Sequence, residues 1–276
     1  MTAPHLRRLL AAMARNYTQA LSVQLLYKYS LLQSATSIAI NLLGIVLFWI
    51  SAGRHAGSSS GYSSGLIIAY FAMTFVHGVI QDDGLTSILG SVIRDGTLSA
   101  SLLRPYHCLV SLMVDAAGVA TIRCLTLFPI LAIVIAGSEF AWGRDSQIEL
   151  LRMLGLYLPA LALSVVMGWL TRVVIGLLAF DMVDIWGPSY VFDALYVVGS
   201  GSLYPPDLLP EHLAKVIHWT PLYYMVGFPS LVFLGRIHFS DAVELLMQGC
   251  VVALVMVTIL VLMWRRGIQR FEAIGI

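Results

Sequence analysis

The 276-residue chain is 59% hydrophobic and only 11% charged, against roughly 25% charged in an ordinary soluble domain, which excludes a water-soluble globule. Its 16 Lys+Arg against 15 Asp+Glu leave a net charge of +1, too small a basic surplus to hold a nucleic-acid backbone. Cys108, Cys124 and Cys250 lie in or beside apolar stretches, without the close Cys/His spacing of a metal site or disulfide framework, and read as small buried hydrophobes.

A bilayer core about 30 Å thick needs about 20 apolar residues of helix, because lipid offers no hydrogen-bond partner to exposed backbone. Before the first such run, Leu6, Leu9, Leu10, Met13, Tyr17, Ala20 and Leu21 recur at helical spacing, while Arg7, Arg8 and Arg15 take other faces. This predicts a cytoplasmic amphipathic helix over residues 1–30, apolar side chains in the inner leaflet and arginines at its headgroups. A solvated helix is the plainer reading. A cleavable signal peptide is disfavoured, since the first apolar run starts only near residue 31.

Residues 31–276 then carry six predicted spans, at about 31–52, 64–82, 107–136, 148–178, 185–203 and 243–264. Lys and Arg near span ends are retained on the cytoplasmic side. Arg7, Arg8, Arg15, Lys28, Arg94, Arg104, Arg265, Arg266 and Arg270 fall in the termini and the second-to-third connection, whereas Arg54, Arg144, Arg152, Lys215 and Arg236 share the other side. Both termini are therefore predicted inside.

Between spans two and three, Leu85, Ile88, Leu89, Val92 and Ile93 form an i, i+3, i+4, i+7, i+8 stripe, an amphipathic helix too short to span. Asp95-Gly96-Thr97 offers a helix stop, with Gly96 left-handed and Thr97 capping the next turn. Leu98, Leu102 and Leu103 follow, and Arg104-Pro105 turns the chain into span three. The segment is either a simple interfacial connector or a rigid lever that docks on a cytoplasmic motor.

Arg123 in span three and Asp193 in span five both fall near the bilayer midplane. A charge there costs about 2.5–3.5 kcal/mol on insertion scales, so Arg123 is expected to face the bundle and meet Asp193 or Asp115, as a packing ion pair or as the polar lining of a path. Gly199-Ser200-Gly201 allows two readings, close helix packing or the turn around a membrane serine nucleophile with His212, His218 or His238 as base.

From Tyr204-Pro205-Pro206 to Gly235 the predicted outer connection is too apolar for an ordinary loop, yet Thr220-Pro221 and Phe228-Pro229 interrupt it before it could span. Short broken helices dipping into the outer leaflet fit, provided their freed backbone groups are buried in protein. A seventh full span would put the C-terminal arginines outside, against the charge pattern. The last span is the cleanest: Leu245 to Trp264 is interrupted only by Gln248 and stops at Trp264-Arg265-Arg266.

A phosphate-gripping GxxxxGK[ST] loop needs lysine directly after glycine. The two lysines follow Tyr27 and Ala214, so ATP-driven work would need a partner. No HExxH occurs, and His212 and His218 are six apart, which does not stack them for a metal.

The stretch Ile93-Arg94-Asp95-Gly96-Thr97-Leu98-Ser99-Ala100-Ser101-Leu102-Leu103-Arg104-Pro105 resembles the G-x-L-x-x-x-L-L-R-P cytoplasmic signature of ATP-binding-cassette (ABC) exporter permeases of the second type. Pro210 to Gly235, with Thr220-Pro221-Leu222-Tyr223-Tyr224 and Pro229 to Gly235, resembles the same family's segment before its last span. The resemblance implies an all-α polytopic half-transporter of the bacterial cytoplasmic membrane. Two permease subunits, alike or related, would enclose a path through the lipid bilayer, and two separate ATPase subunits would close beneath them. This non-catalytic chain would bind no cofactor, ATP and Mg being used by the ATPase, and substrate would move outward.

The family's coupling helix would fall on residues 85–103, with Ile93, Arg94, Asp95, Gly96, Leu98, Leu102, Leu103, Arg104 and Pro105 as its coupling residues. The outer re-entrant segment would fall on about 206–235, marked by Pro205, Pro206, Pro221, Tyr223, Tyr224, Pro229 and Gly235. The alternatives from other classes are an intramembrane serine hydrolase built on Ser200 and an ion-coupled carrier using Arg123 and Asp193.

Overall fold

A computed structural model describes residues 3–26, 64–81, 84–103, 107–142, 147–182 and 184–271, with isolated helical positions between 36 and 51. Among the described residues there is no strand. In chain order the helices are α1 (Ala3–Leu26), α2 (Ser64–Gln81), α3 (Leu85–Arg94), α4 (Leu98–Leu102), α5 (Cys108–Trp142) and α6 (Gln147–Gly176). They continue with α7 (Trp186–Gly199), α8 (Glu211–His218), α9 (Pro221–Met225), α10 (Gly227–Phe233) and α11 (Phe239–Arg270). Short 3-10 turns cover Leu177–Phe180 and Pro206–Leu208.

Four stretches among the described residues are long and apolar enough to cross a membrane: Gly65–Arg94, Cys108–Thr126, Gly155–Phe180 and Phe239–Arg270. They overlap predicted spans two, three, four and six, the first running on beyond predicted span two through α3. Predicted span one lies almost wholly outside the described residues. Predicted span five appears as α7, a helix of only 14 residues, about 21 Å long at 1.5 Å per residue. It stops at Ser200, where Gly201 takes φ 85 and redirects the chain.

The interior divides into two clusters along one bundle. The first joins Tyr70, Phe71 and Met73 of α2, Ala160, Leu163 and Met167 of α6, the apolar residues of α9 and α10, and Val252 of α11. The second joins Leu85, Leu89 and Ile93 of α3, Leu98 of α4, Cys108 and Leu109 of α5, Leu170 and Val173 of α6, and Leu260 of α11. Because α6 and α11 feed both clusters in order along their length, α9–α10 and α3–α4 lie at opposite ends of the bundle. The outward face of α11 is apolar, with Met247, Val251, Leu254, Val255 and Leu262 exposed, as a lipid-facing helix requires.

The N-terminal helix has a protein partner that its periodicity does not reveal. Its half-buried stripe, Ala12, Met13, Asn16, Tyr17, Ala20 and Leu21, crosses α5 at Gly118, where a β-carbon would lie 2.7 Å from that of Ala20. Asn16 donates from Nδ2 to Ser111 Oγ at 3.0 Å. Thr121 gives its proton to the Ala117 carbonyl, so the 2.8 Å contact of Tyr17 with Thr121 Oγ1 has the tyrosine as donor.

Candidate functional site

The elbow formed by α3 and α4 begins at Gly84, whose φ of 69 needs glycine, and turns Leu85, Leu89 and Ile93 of the predicted stripe inward, while Val92 is half-buried and Ile88 is exposed. Leu85, Leu89, Ile93 and Leu98 are all buried. Gly176 lets Leu89 approach α6 so closely that a β-carbon would sit 3.0 Å from Leu89 Cδ2, and Gly90 does the same for the Ile185 side chain. Thr86 donates to the Arg172 carbonyl at 3.2 Å. The helix ends as expected, with Gly96 at φ 72 and Asp95 N–H on the Ser91 carbonyl at 2.8 Å. Thr97 does not cap the next turn: its hydroxyl folds back to the Val92 carbonyl at 3.3 Å, tying α4 to α3.

The coupling residues therefore separate into two kinds. Ile93 and Leu98 grip the bundle, Gly96 shapes the bend, and Arg94 and Asp95 form a solvent-side pair at 3.3 Å. Leu102 and Leu103 project outward, 46% and 88% exposed. Arg104 and Pro105 lie outside the described residues.

At the other end, two short helices make a hairpin with its apex at Met225–Val226. Pro205 and Pro206 are buried at the entry, Pro206 opening a 3-10 turn. Pro221 is the first residue of α9, where its missing N–H costs nothing, and Pro229 sits in the first turn of α10. Tyr223 and Tyr224 are fully buried. Gly235 at φ 64 closes α10, its N–H on the Val232 carbonyl and that of Arg236 on the Leu231 carbonyl, a Schellman stop. Arg236 then reaches back to Asp207 Oδ2 at 3.2 Å through both Nε and Nη2, joining the exit of the segment to its entry. On α8, the Lys215 ammonium, bonded to Glu211 at 2.7 Å, holds that carboxyl below the usual carboxylate range, while burial pushes His218 below the usual histidine value.

The hairpin apex reaches the middle of α6, where broken backbone can survive only if protein supplies its hydrogen bonds. Three side chains, Gln81, Ser164 and Ser230, do so directly, and His77 and Tyr157 hold Ser230 in place. Gln81 donates from Nε2 to Ser164 Oγ at 2.8 Å and to the Met225 carbonyl, and Ser164 donates to the same carbonyl at 2.6 Å. Ser230 gives its hydroxyl proton to the Val226 carbonyl at 2.7 Å, so it can only accept from His77 Nδ1 at 3.1 Å. His77 is thereby the Nδ1–H tautomer, leaving Nε2 to accept from the Tyr157 hydroxyl at 3.2 Å. His77 and Gln81 are i and i+4 on α2, a polar pair on one face of an apolar span that their spacing alone could have flagged.

Arg123 and Asp115 are half-buried on α5, and Arg123 donates from Nη1 to the Val79 carbonyl of α2 at 3.3 Å. Asp193 is exposed on α7, which has no buried residue. Ser200 is fully buried, with its hydroxyl on Ser202 Oγ at 3.1 Å. Tyr70 donates to the Gly201 carbonyl at 2.6 Å, and Gly227 lies against the Ser200 carbonyl. His218 instead stacks on Tyr223 with ring centroids 4.5 Å apart. This is the packing arrangement of a Gly-Ser-Gly turn.

An apolar helical bundle thus carries a gripped elbow at one end and a re-entrant hairpin at the other. No curated protein matches the chain. The profile of the ABC-2 family transporter protein matches residues 39–275, spanning the elbow, the hairpin and every long helix after α1, and the chain belongs to that family.

Proposed function

We propose that this chain is the membrane half of an ATP-driven exporter, with separate ABC ATPase subunits docking on the tip of the α3–α4 elbow. The observation that carries the reading is the division of the elbow: Leu85, Leu89, Ile93 and Leu98 lock it to α5, α6 and α11, while Leu102 and Leu103 stand free at its end. An apolar tip on a rigid, buried base is what a partner needs to push on the bundle, and 88% exposure of Leu103 leaves that surface uncovered within the subunit.

In this reading residues 1–30 form the cytoplasmic interfacial helix and 31–276 a six-span permease domain, with both termini inside a bacterial cytoplasmic membrane. A second permease subunit, identical or related, completes the path. ATP and Mg are held by the ATPase, whose closure stabilises one of the inward-facing and outward-facing states and so shifts their populations. Substrate leaves on the side of the hairpin. Arg123, Asp115 and Asp193 are the charges that would pair between helices or line the path.

The test is reconstitution with the partner ATPase. Leu102→Ser/Leu103→Ser is expected to abolish stimulation of ATP hydrolysis and outward transport while the chain still inserts. Transport that persists without any ATPase and follows a proton gradient would replace this reading with the ion-coupled carrier.

A further inference from the structure

Gln81 is the last residue of α2, and Leu85, the first residue of the elbow, follows within one helical turn of sequence. Its carboxamide nitrogen bonds both Ser164 Oγ and the Met225 carbonyl, and Ser164 bonds that carbonyl too. Both lone pairs of the apex carbonyl are thus filled, one by α2 and one by α6. Gly168 backs the carboxamide so tightly that a β-carbon there would lie 2.7 Å from Gln81 Oε1. The side chain cannot withdraw without leaving the carbonyl.

Among the described residues Oε1 has no hydrogen-bond partner, although Gln81 is 3% exposed. A buried unsatisfied acceptor is costly, and leucine would avoid that cost only by leaving the Met225 carbonyl with Ser164 as its remaining side-chain donor. The amide therefore serves its bond to the apex rather than filling space.

Resting on the coupling role proposed for the elbow, we infer that Gln81 is a transmission residue, carrying displacement of α3 directly to the apex of the outer hairpin. Gln81, four residues before the elbow begins, is bonded to the apex, so one side chain joins the two elements. Shifting α3 moves the end of α2, strips the Met225 carbonyl of one donor and frees the hairpin to take a second position. Ser164 is the fixed post against which the motion is made.

The test uses the complex with its ATPase in lipid nanodiscs, with exposed Cys250 replaced by serine and Trp219→Cys, an exposed position in the outer segment, as the reporter. Maleimide labelling of that cysteine is timed with and without ATP, alongside subunit binding and ATP hydrolysis. In the parent, nucleotide is expected to change the labelling rate about fivefold or more, the size of an ordinary allosteric coupling. In Gln81→Leu the response should fall below about twofold while ATPase binding and hydrolysis persist. Ser164→Ala, which removes a single hydroxyl, should give an intermediate response, and it decides the matter if Gln81→Leu fails to assemble.

A full nucleotide response in either variant overturns the inference and leaves the elbow's coupling role standing. A parent that binds ATPase at the elbow but shows no response at position 219 does the same. A parent whose ATPase does not depend on the elbow overturns both.

Discussion

The ring of Tyr224 lies against the backbone of Gly249: a β-carbon on that glycine would meet Cδ1 and Cε1 of the ring at 2.8 Å and Leu163 Cδ2 at 2.5 Å. The contact joins the hairpin to α11 and α6 at one point, and the absence of a side chain on α11 is what allows it. Small residues serve membrane helices in this way because lipid supplies no hydrophobic drive for their association, leaving close packing to do so. Gly249→Val is expected to lower stability by about 1–3 kcal/mol through overpacking, read as a lower thermal midpoint, with the loss concentrated in exchange protection of residues 221–233.

The directed chain Tyr157 to His77 to Ser230 to the Val226 carbonyl makes a sharper prediction. Tyr157→Phe leaves His77 Nε2 buried without a donor, at a cost of about 1–3 kcal/mol. His77→Phe removes both ring nitrogens, after which the loss of the Tyr157 hydroxyl should matter little. The double variant is therefore expected to be less destabilised than the sum of the singles by about 1 kcal/mol. Strict additivity in thermal unfolding would break the chain at Tyr157, and ring nitrogen chemical shifts would show directly whether Nδ1 carries the proton.

How far the sequence discloses this architecture depends on whether a signal is local. Apolar stretches at predicted spans two, three, four and six, the inward Leu85, Leu89 and Ile93 of the stripe, and the glycine stop at Gly96 are properties of neighbouring residues, and these reappear in the structure. The proline breaks at Pro221 and Pro229 likewise announce short helices. What a linear pattern cannot hold is the partner of an isolated polar residue. His77, Ser164 and Ser230 each look like a single interruption in an apolar run and Gln81 like the polar end of one, and only the meeting of α2, α6 and the hairpin turns them into one network. Leu98 and Leu103 show the same limit within one motif. Both are leucines of the elbow, but one is at 0% exposure and the other at 88%, a difference fixed by where α5 and α6 happen to pass. Arg123, expected to seek a carboxylate, also reaches a backbone carbonyl on α2, which charge arithmetic does not anticipate.

The seat of α1 on α5 can be tested without any transport assay. Gly118→Leu would drive a side chain into Ala20 and the Tyr17 carbonyl, which lies 3.2 Å from a β-carbon at that position. The two hydrogen bonds from Asn16 and Tyr17 cannot hold the helix against that displacement, since each is worth only about 1 kcal/mol. The expected outcome is faster tryptic cleavage after Arg15 in detergent-solubilised protein, with the fragment beginning at Asn16 remaining intact.

The outer segment should also respond to acid through His218. Burial lowers its affinity for protons in the folded state, so the unfolded or detached segment binds the proton more readily. The stabilisation from the neutral ring is therefore complete above the ordinary histidine value of about 6.5 and is lost as pH falls through the lower folded value. Its ring stacks on Tyr223 at 4.5 Å, beside the hairpin's first helix, which places the change where it can loosen α8 from α9. Exchange protection in residues 211–225, taken relative to the intrinsic rate at each pH, is expected to fall as the solution is acidified below pH 7, and His218→Phe, which keeps an aromatic ring beside Tyr223 and removes the titration, should flatten that dependence. Unchanged acid sensitivity in the phenylalanine variant would assign the effect to another group.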